Sequence, residues 1–416
     1  MIKPAGLQRV AFYDAHLPLE KIAPTIFDLF PNVSEFTVAF TTDTLFRRRT
    51  EAGTSLKKPS KKYKLNHLWL QLRDDGFETA TNRTIAKQLI KKSPYLTQLF
   101  VESMATIAHE DIIELWSAGQ CPNLQVIVMT HYERICQLRA HPIVNEITNG
   151  NSNNKSSLKK TVKQQIQGQK GLRVLAITEN HISYHHYDYV KIKGDIIIKV
   201  HATLELLFFE NVYPSSHATW PELFTCCTKD IWFPRLRHVI LHLGKICNLR
   251  RASLASLIEK DFENKLCILL SCAPRLENFT YRRDLIQTRH LEAQTWITDT
   301  LLQTLIEHCT VLTTFRVAGC YRFSSNMLRQ FIQAFEGQLK TVEFDCSIRS
   351  DNLRFVVKTI KCLEKISIRH ICPQRHHFHN CPNIQGTEGT DILTTWGGSS
   401  DITPLQDISR TLYDIF

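Results

Sequence analysis

Apolar residues in the stretch 310–337 change their spacing once, from a strand-like pattern to a helical one. Leu312, Phe315 and Val317 stand three and two residues apart, so all three can face one side of a short strand. Over 327–335 the apolar residues recur at helical spacing instead. The stretch therefore predicts one strand followed by one amphipathic helix.

Residues at the ends of this helix support the prediction. Ser324 or Ser325 can cap its start, and Gly337 can end it. The strand and the helix each have one apolar side, and neither can bury that side alone. A unit of this kind predicts further copies of itself along the chain.

The strand pattern, an apolar residue followed by others three and five places later, occurs twelve times. The first residues of successive matches lie 24 to 48 residues apart. The matches are Leu7-Val10-Phe12, Val33-Phe36-Val38, Leu65-Leu68-Leu70, Leu96-Leu99-Val101, Leu124-Ile127-Met129, Leu172-Leu175-Ile177, Leu204-Leu207-Phe209, Leu236-Val239-Leu241, Leu276-Phe279-Tyr281, Leu312-Phe315-Val317, Leu339-Val342-Phe344 and Leu363-Ile366-Ile368. These leucine motifs predict twelve strands of a repeat array.

Proline precedes several of the leucine motifs. It stands two residues before the first motif residue at Pro31, Pro94, Pro122, Pro234 and Pro274. Proline ends the preceding helix and favours an extended chain after it. Because helical spacing lies between the motifs, the predicted period is strand, turn, helix, proline, strand.

This period resembles the leucine-rich-repeat family over roughly residues 6–370. It is similar to the long, cysteine-containing repeats of fungal F-box/leucine-rich-repeat proteins, since Cys121, Cys272 and Cys309 stand near predicted helix ends and Cys320 follows a strand. The resemblance implies an α/β fold, a right-handed leucine-rich-repeat solenoid (horseshoe). Its parallel strands would line the concave face and its helices the convex face.

The family resemblance also implies substrate recognition in ubiquitin-dependent protein degradation, with cullin-type ubiquitin ligase subunits as partners. Two departures from the family pattern limit this resemblance. The family's buried Asn or Cys eight places after the first leucine occurs only at Asn180 and Cys320. No F-box is recognisable: Leu17-Pro18-Leu19 invites the comparison, but it lies between the first two predicted strands without room for the other F-box helices. We expect an ordinary repeat helix there, with any F-box preceding Met1 or lost.

About twelve degenerate repeats are expected over 1–370, followed by a tail at 371–416 with a short helix that could cap the last repeat. Two insertions interrupt the array. One is the basic loop 43–64. The other is 131–170, whose centre at 149–157 contains only Asn, Ser, Gly and Lys and is expected to be mobile.

The basic loop dominates the net charge of +11. Between Arg47 and Lys64 there are eight basic residues and one acid, which supply +7 of that total. No diffuse basic face remains, so we do not expect nucleic acid as the main partner. The loop is either a solvated surface segment or a bipartite nuclear-import signal formed by Arg47, Arg48, Arg49, Lys57, Lys58, Lys61 and Lys62.

Composition and motifs narrow the class of protein further. The chain has no run of 18 apolar residues that would suggest a membrane span. Its thirteen cysteines lie in apolar contexts and look like reduced core residues. We therefore expect a protein of the cytoplasm, the nucleus or both. Histidines and cysteines at 370–381 are suitable zinc ligands but match no zinc motif, so no metal is expected. Without a phosphate loop, nucleophile elbow or H-E-x-x-H helix, we expect no cofactor and no enzyme activity.

Strand alternation places one further set of residues on the concave face. Residues two, four and six places after the first motif residue point away from the motif side chains. In the middle repeats these are apolar: Trp69, Phe100, Val126, Val128, Val174, Leu206, Phe208 and Ile240. In the outer repeats they are polar, as at Arg9, Glu35, Arg316, Glu343, Asp345 and Lys365. An exposed apolar stripe predicts a protein-binding site, unless curvature, the long insertion or the tail covers it.

Three functional hypotheses remain. The first is a protein-interaction scaffold that binds a partner on the concave face, in the manner of F-box/leucine-rich-repeat substrate adaptors. The second is a nuclear, nucleic-acid-associated protein acting through 47–64, whose binding should weaken steeply with salt. The third is a truncated paralogue that folds but has no partner.

Overall fold

The structure is a computed structural model of the 416-residue chain. It describes residues 7–12, 26–38, 62–72, 87–103, 115–116, 118–130, 132–153, 171–179, 195–211, 231–243, 252–283, 297–319, 321–345, 348–369 and 392–395. The chain divides into two compact units, Met1–Phe209 and Glu210–Phe416. Each is described by itself below.

The first unit contains parallel strands in the order of the sequence. They are β1 (Arg9–Phe12), β2 (Glu35–Val38), β3 (His67–Leu72), β4 (Gln98–Ser103), β5 (Val126–Met129), β6 (Val174–Glu179) and β7 (Leu206–Asn211), whose last two residues belong to the second unit. Its helices are α1 (Tyr132–Arg139), α2 (Pro142–Asn153) and α3 (Asp195–Val200), and residues 26–29 and 87–91 are also helical.

The second unit continues the alternation of strands and helices. Its parallel strands are β8 (His238–Leu243), β9 (Asn278–Arg283), β11 (Thr314–Ala318), β13 (Thr341–Asp345) and β14 (Lys365–Arg369). A small parallel pair is formed by β10 (Ile297–Thr298) and β12 (Tyr321–Arg322), and β15 (Ile392–Thr395) pairs antiparallel to β14. The helices are α4 (Ala252–Ser271), α5 (Asp299–His308), α6 (Ser325–Ala334) and α7 (Ser350–Thr359).

Every leucine motif coincides with a parallel strand, so the predicted parallel α/β array is confirmed for the described residues. The second motif residue of each repeat stands in one register with its neighbours. In the first unit this row is Val10, Phe36, Leu68, Leu99, Ile127 and Leu175; in the second it is Val239, Phe279, Phe315, Val342 and Ile366. A constant register means that successive repeats stack without a slip.

Helix α6 packs against the motif side of β11, which we call the leucine face. On α6 the buried side chains are those of Leu328, Phe331 and Ile332, and the ring centroid of Phe331 lies 4.6 Å from that of Phe315 on β11. Burying each such side chain contributes about 1.5–3 kcal/mol. Ser324 caps α6 as predicted, since its side chain accepts a bond from the backbone amide of Met327 (3.2 Å).

The predicted end of this helix at Gly337 is wrong. The helix ends at Ala334, and Phe335 is its C-cap. The side chain of Phe335 is itself buried and packs on Phe331, with ring centroids 4.9 Å apart.

The prolines before the strands lie in tight turns rather than in extended chain. In each case the amide of the first motif residue donates to the carbonyl three residues earlier, at N···O distances of 3.1–3.4 Å. The turns are 30–33, 93–96, 121–124, 233–236 and 273–276. Proline occupies the second position of each, where its fixed φ suits a β-turn.

Backbone hydrogen bonds connect the repeats where each strand begins. The carbonyl of Gln8, for example, accepts bonds from the amides of Ser34 (2.9 Å) and Glu35 (3.0 Å). The same double acceptance recurs at the carbonyls of Ser34, Asn66, Thr97, Gln125 and Arg173 in the first unit and of Arg237, Glu277, Thr313 and Lys340 in the second. Such a ladder needs no particular side chain, so a chain lacking the family's Asn or Cys ladder can still link its repeats.

Buried cysteines satisfy carbonyls near the helix ends. The thiol of Cys121 donates to the carbonyl of Ile90 (3.7 Å), and that of Cys309 donates to the carbonyl of Leu270 (3.5 Å). Burial raises the pKa of Cys121 to about 11 and of Cys309 to about 12, so both remain protonated donors. Among the six described cysteines, Cys121, Cys272 and Cys309 are buried, whereas Cys136 is exposed and does not fit the predicted core position. Cys320 lies outside the described residues.

Candidate interaction surface

The side of the strands away from the motif residues, here called the opposite face, carries the predicted partner-binding residues. Strand register brings them into rows across the first unit. Trp69 on β3 pairs with Phe100 on β4, and Phe100 pairs with Val128 on β5. Val126 pairs with Val174 on β6 in a neighbouring row. The predicted apolar stripe is therefore contiguous across these strands.

The stripe is nevertheless buried. Trp69 is the most exposed of its members in the first unit, at 6 %, and Phe208 follows at 3 %. The remaining members of that unit, Phe100, Val126, Val128, Val174 and Leu206, are fully buried. Ile240, which belongs to the second unit, is half-buried. The expectation of an exposed stripe is thus wrong for the first unit, while its role in binding a partner stays a prediction.

Helices α1 and α2, which belong to the predicted insertion 131–170, contact the stripe. The guanidinium of Arg139 on α1 lies 4.8 Å from the ring centroid of Trp69 and 5.7 Å from that of Phe100. On α2, the Oγ1 atom of Thr148 accepts a hydrogen bond from Nε2 of Gln98 (2.6 Å) on β4. We call these two helices the cover of the opposite face.

Apolar spacing within the cover explains why it folds against the strands. Ile135 and Leu138 of α1 and Ile143, Val144 and Ile147 of α2 are all buried. They recur three and four residues apart, as on one side of a helix. The segment 149–157, expected to be mobile, begins inside α2, since residues 149–153 are helical. Residues 154–157 lie outside the described residues.

An ion-pair cluster connects the cover to the starts of two strands. Nε and Nη2 of Arg173 donate to the two carboxylate oxygens of Glu205, at 2.6 and 2.9 Å. Nη2 also donates to Glu146 on α2 (3.1 Å). The bonds to Glu205 and then to Glu146 raise the pKa of Arg173, although burial partly opposes them. Bidentate geometry makes the Glu205 pair the stronger of the two contacts.

His67 lies beneath the cover at the edge of the stripe. Its ring centroid is 5.1 Å from that of Phe100, and its buried Nε2 atom has no hydrogen-bond partner among the described residues. Burial, followed by the charges of Arg139 and Arg9, lowers the pKa of His67 to about 3. The imidazole is therefore neutral at physiological pH.

In the second unit, β9, β11 and β13 carry charged residues on the opposite face. Nη2 of Arg282 on β9 donates to Oε2 of Glu343 on β13 (2.7 Å), across the intervening strand β11. Arg316 on β11 is the register partner of Glu343. Burial lowers the pKa of Arg316 and the charge of Arg282 lowers it further, while Glu343 opposes both. Two guanidinium groups thus share one buried carboxylate.

At the other end of the array the predicted polar positions also form an ion pair. Nε of Arg9 donates to Oε1 of Glu35 (2.8 Å), but the two side chains are 79 % and 34 % exposed. An exposed pair of this kind contributes little, about 0–1 kcal/mol. We assign it no functional role.

The other candidate sites fall mainly outside the described residues. Of the proposed import signal only Lys62 is described, and it is exposed; Arg47, Arg48, Arg49, Lys57, Lys58 and Lys61 are not described. The His/Cys cluster at 370–381 is likewise not described. Within the described ranges, no group of three or more His, Cys, Asp or Glu side chains could hold a metal ion. No helix in that part of the chain combines the length and apolarity of a membrane span.

Sequence reasoning missed two residues of this surface. Arg282 stands six places after Leu276. The strand alternation that puts Arg316 and Glu343 on the opposite face therefore also puts Arg282 there. Arg139 was missed because 131–170 was treated as an insertion without structure, although its apolar spacing is helical.

Comparison with known families finds no family model that matches the chain, and comparison with curated proteins finds no significant relative.

Proposed function

We propose that the chain is a protein-interaction scaffold of the leucine-rich-repeat type. The constant register of the leucine motifs carries this proposal, because it aligns side chains from successive strands into rows on the opposite face. Rows of aligned side chains are the extended surfaces that repeat proteins use for binding. Residues on several strands can then contact one partner.

We further propose that the partner interaction serves substrate recognition in ubiquitin-dependent degradation. Support comes from the resemblance of the motif order to F-box/leucine-rich-repeat proteins. The buried thiols of Cys121 and Cys309, which lie at equivalent places before two strands and bond carbonyls of preceding helical segments, are consistent with long cysteine-containing repeats. In this proposal the chain supplies recognition and has no catalytic role.

The cover restricts how a partner can reach the apolar stripe. Because Trp69 is buried and its ring lies against Arg139, a partner can contact it only after α1 moves away. Binding at the stripe would therefore compete with the contacts of Arg139 and Thr148. We propose that the stripe is a second, conditional part of the binding surface.

Co-purification tests the ligase role. A tagged chain is expected to recover the adaptor and cullin subunits from cells, and their absence from the recovered material would refute a ligase role.

Stripe binding is tested by replacing 132–153 with a Gly-Ser linker of equal length, which should increase recovery of the partner. In that uncovered protein, Trp69→Ala should remove the increase, whereas Tyr95→Ala, at a 56 % exposed turn residue, should not. No increase on removal of the cover would contradict a role for the stripe.

A further inference from the structure

Arg282, Arg316 and Glu343 form a charged cluster on three neighbouring strands of the second unit. Arg316 pairs with Thr280 on one side and with Glu343 on the other. Arg282 stands two residues further along β9, opposite Ala318, whose short side chain leaves room for the guanidinium to cross β11. Its Nη2 atom reaches Oε2 of Glu343 at 2.7 Å. We call these three residues the two-arginine cluster.

The cluster has unused hydrogen-bonding capacity. In the described part of the chain, the buried Nε atoms of Arg282 and Arg316 have no acceptor, and the buried Oε1 atom of Glu343 has no donor. Glu343 is 6 % exposed and Arg282 is 23 % exposed. Buried donors on a charged group are costly to leave unpaired, so such atoms are suited to an incoming partner group.

The charge of the cluster selects the type of group. Two guanidinium ions and one carboxylate leave a net charge of +1, and Lys365 lies half-buried on the neighbouring strand β14, opposite Thr341. Among the register partners of the cluster, Thr280 and Ser367 are uncharged, and His242 on β8 pairs with Arg282. The site therefore favours an anion, and planar guanidinium groups match the geometry of a carboxylate.

The free oxygen of Glu343 adds a second requirement. A ligand that satisfies the whole cluster must supply an acceptor for the two Nε atoms and a donor for Oε1. A carboxylate side chain attached to a peptide meets both requirements, because the backbone N–H of the same peptide is a donor. Fully ionised phosphate has acceptors but lacks that donor.

We propose that the two-arginine cluster binds a carboxylate side chain of an acidic segment in a protein partner. Arg282 and Arg316 donate to the carboxylate, while Glu343 accepts a backbone N–H of the partner. This inference rests on the proposed scaffold function and names the chemistry of its partner. It adds a charged part of the recognition surface in the second unit to the covered stripe of the first.

Hexaglutamate, with hexaglutamine as the neutral peptide, is the probe. Binding to the full chain is measured by fluorescence anisotropy of the labelled peptide at about 0.15 M salt, where weak long-range attraction is screened. Arg316→Gln is expected to weaken hexaglutamate binding about ten-fold, the effect of losing one charge-assisted contact. The matched control is Arg275→Gln, which removes the same charge from an exposed turn of the second unit and should leave binding unchanged.

A second variant keeps the test decisive if Arg316→Gln folds poorly. Glu343→Gln retains the Oε1 acceptor and removes the competing anion, so it is expected to strengthen hexaglutamate binding several-fold. A purely structural role for Glu343 predicts no gain. Equal loss in Arg316→Gln and Arg275→Gln, equal binding of hexaglutamine, or weaker binding in Glu343→Gln would each overturn the proposal. Since the probe needs no ligase subunit, its result is independent of the co-purification test.

Discussion

Acidification is expected to destabilise the first unit through His67. The imidazole is neutral in the folded chain because burial and the charges of Arg139 and Arg9 lower its pKa from 6.5 to about 3. Its buried Nε2 atom has no described partner that would stabilise a proton there. Unfolding removes these effects and returns the pKa of the imidazole to about 6.5.

The direction of the pH effect on stability follows from which state, folded or unfolded, binds the proton more tightly. A histidine with a lower pKa in the folded state holds fewer protons there, so added protons favour the unfolded state. The effect is negligible above about pH 7.5 and grows as the pH falls from there toward about 3. Between about pH 7.5 and about pH 5.5, His67 should lower the free energy of unfolding by about 1.4 kcal/mol. For a unit the size of Met1–Phe209, this corresponds to a midpoint lower by about 4 °C.

Thermal unfolding of the full chain at the two pH values measures this effect. Other groups also titrate, so the quantity of interest is the difference between the wild type and His67→Leu, whose side chain has similar volume and does not titrate. The pH-dependent loss should be about 1.4 kcal/mol smaller in His67→Leu. His308→Gln, at an exposed position on α5, should behave as the wild type. An equal loss in the wild type and in His67→Leu would refute the reasoning.

Three further predictions concern packing and charge. In chemical unfolding, Gly171→Ala should destabilise the first unit by about 2 kcal/mol, because a Cβ atom would lie 2.3 Å from Oγ1 of Thr203. The control Gly337→Ala, whose Cβ atom would have nothing within 4 Å, should be neutral in the same assay. Arg139→Ala should cost about 1–2 kcal/mol by removing the cation–π contact with Trp69, and amide hydrogen exchange across 132–153 should accelerate. If 47–64 binds nucleic acid, affinity for a DNA duplex should fall steeply with salt; a flat salt dependence would contradict that hypothesis.

Much of the fold could be predicted from local patterns. Each leucine motif marks a parallel strand because its apolar residues must share one side of the strand whatever the rest of the chain does. Ser324 could be identified as a cap for a similar reason, since its bond to Met327 is local. The end of the same helix could not, because the helical spacing of apolar residues continues to Phe335 although that residue is already the C-cap.

The candidate site was less predictable. Alternation correctly grouped Trp69, Phe100 and Val128 in one row, but burial of that row depends on residues far along the chain. Arg139 and Thr148 belong to a segment with no leucine motif, and only the folded structure brings them over β3 and β4. The two-arginine cluster likewise needs the register of three strands that are distant in sequence.

Local spacing therefore determined which residues form strands and which side of each strand is apolar, because both depend on neighbours within a few positions. Solvent exposure is different, since it depends on every segment that packs nearby. In this protein helix α1 covers part of a predicted open surface in the first unit, because Arg139 lies against the buried rings of Trp69 and Phe100. In the second unit, register brings two arginines and one carboxylate onto neighbouring strands, and three of their buried hydrogen-bonding atoms have no partner in the described part of the chain.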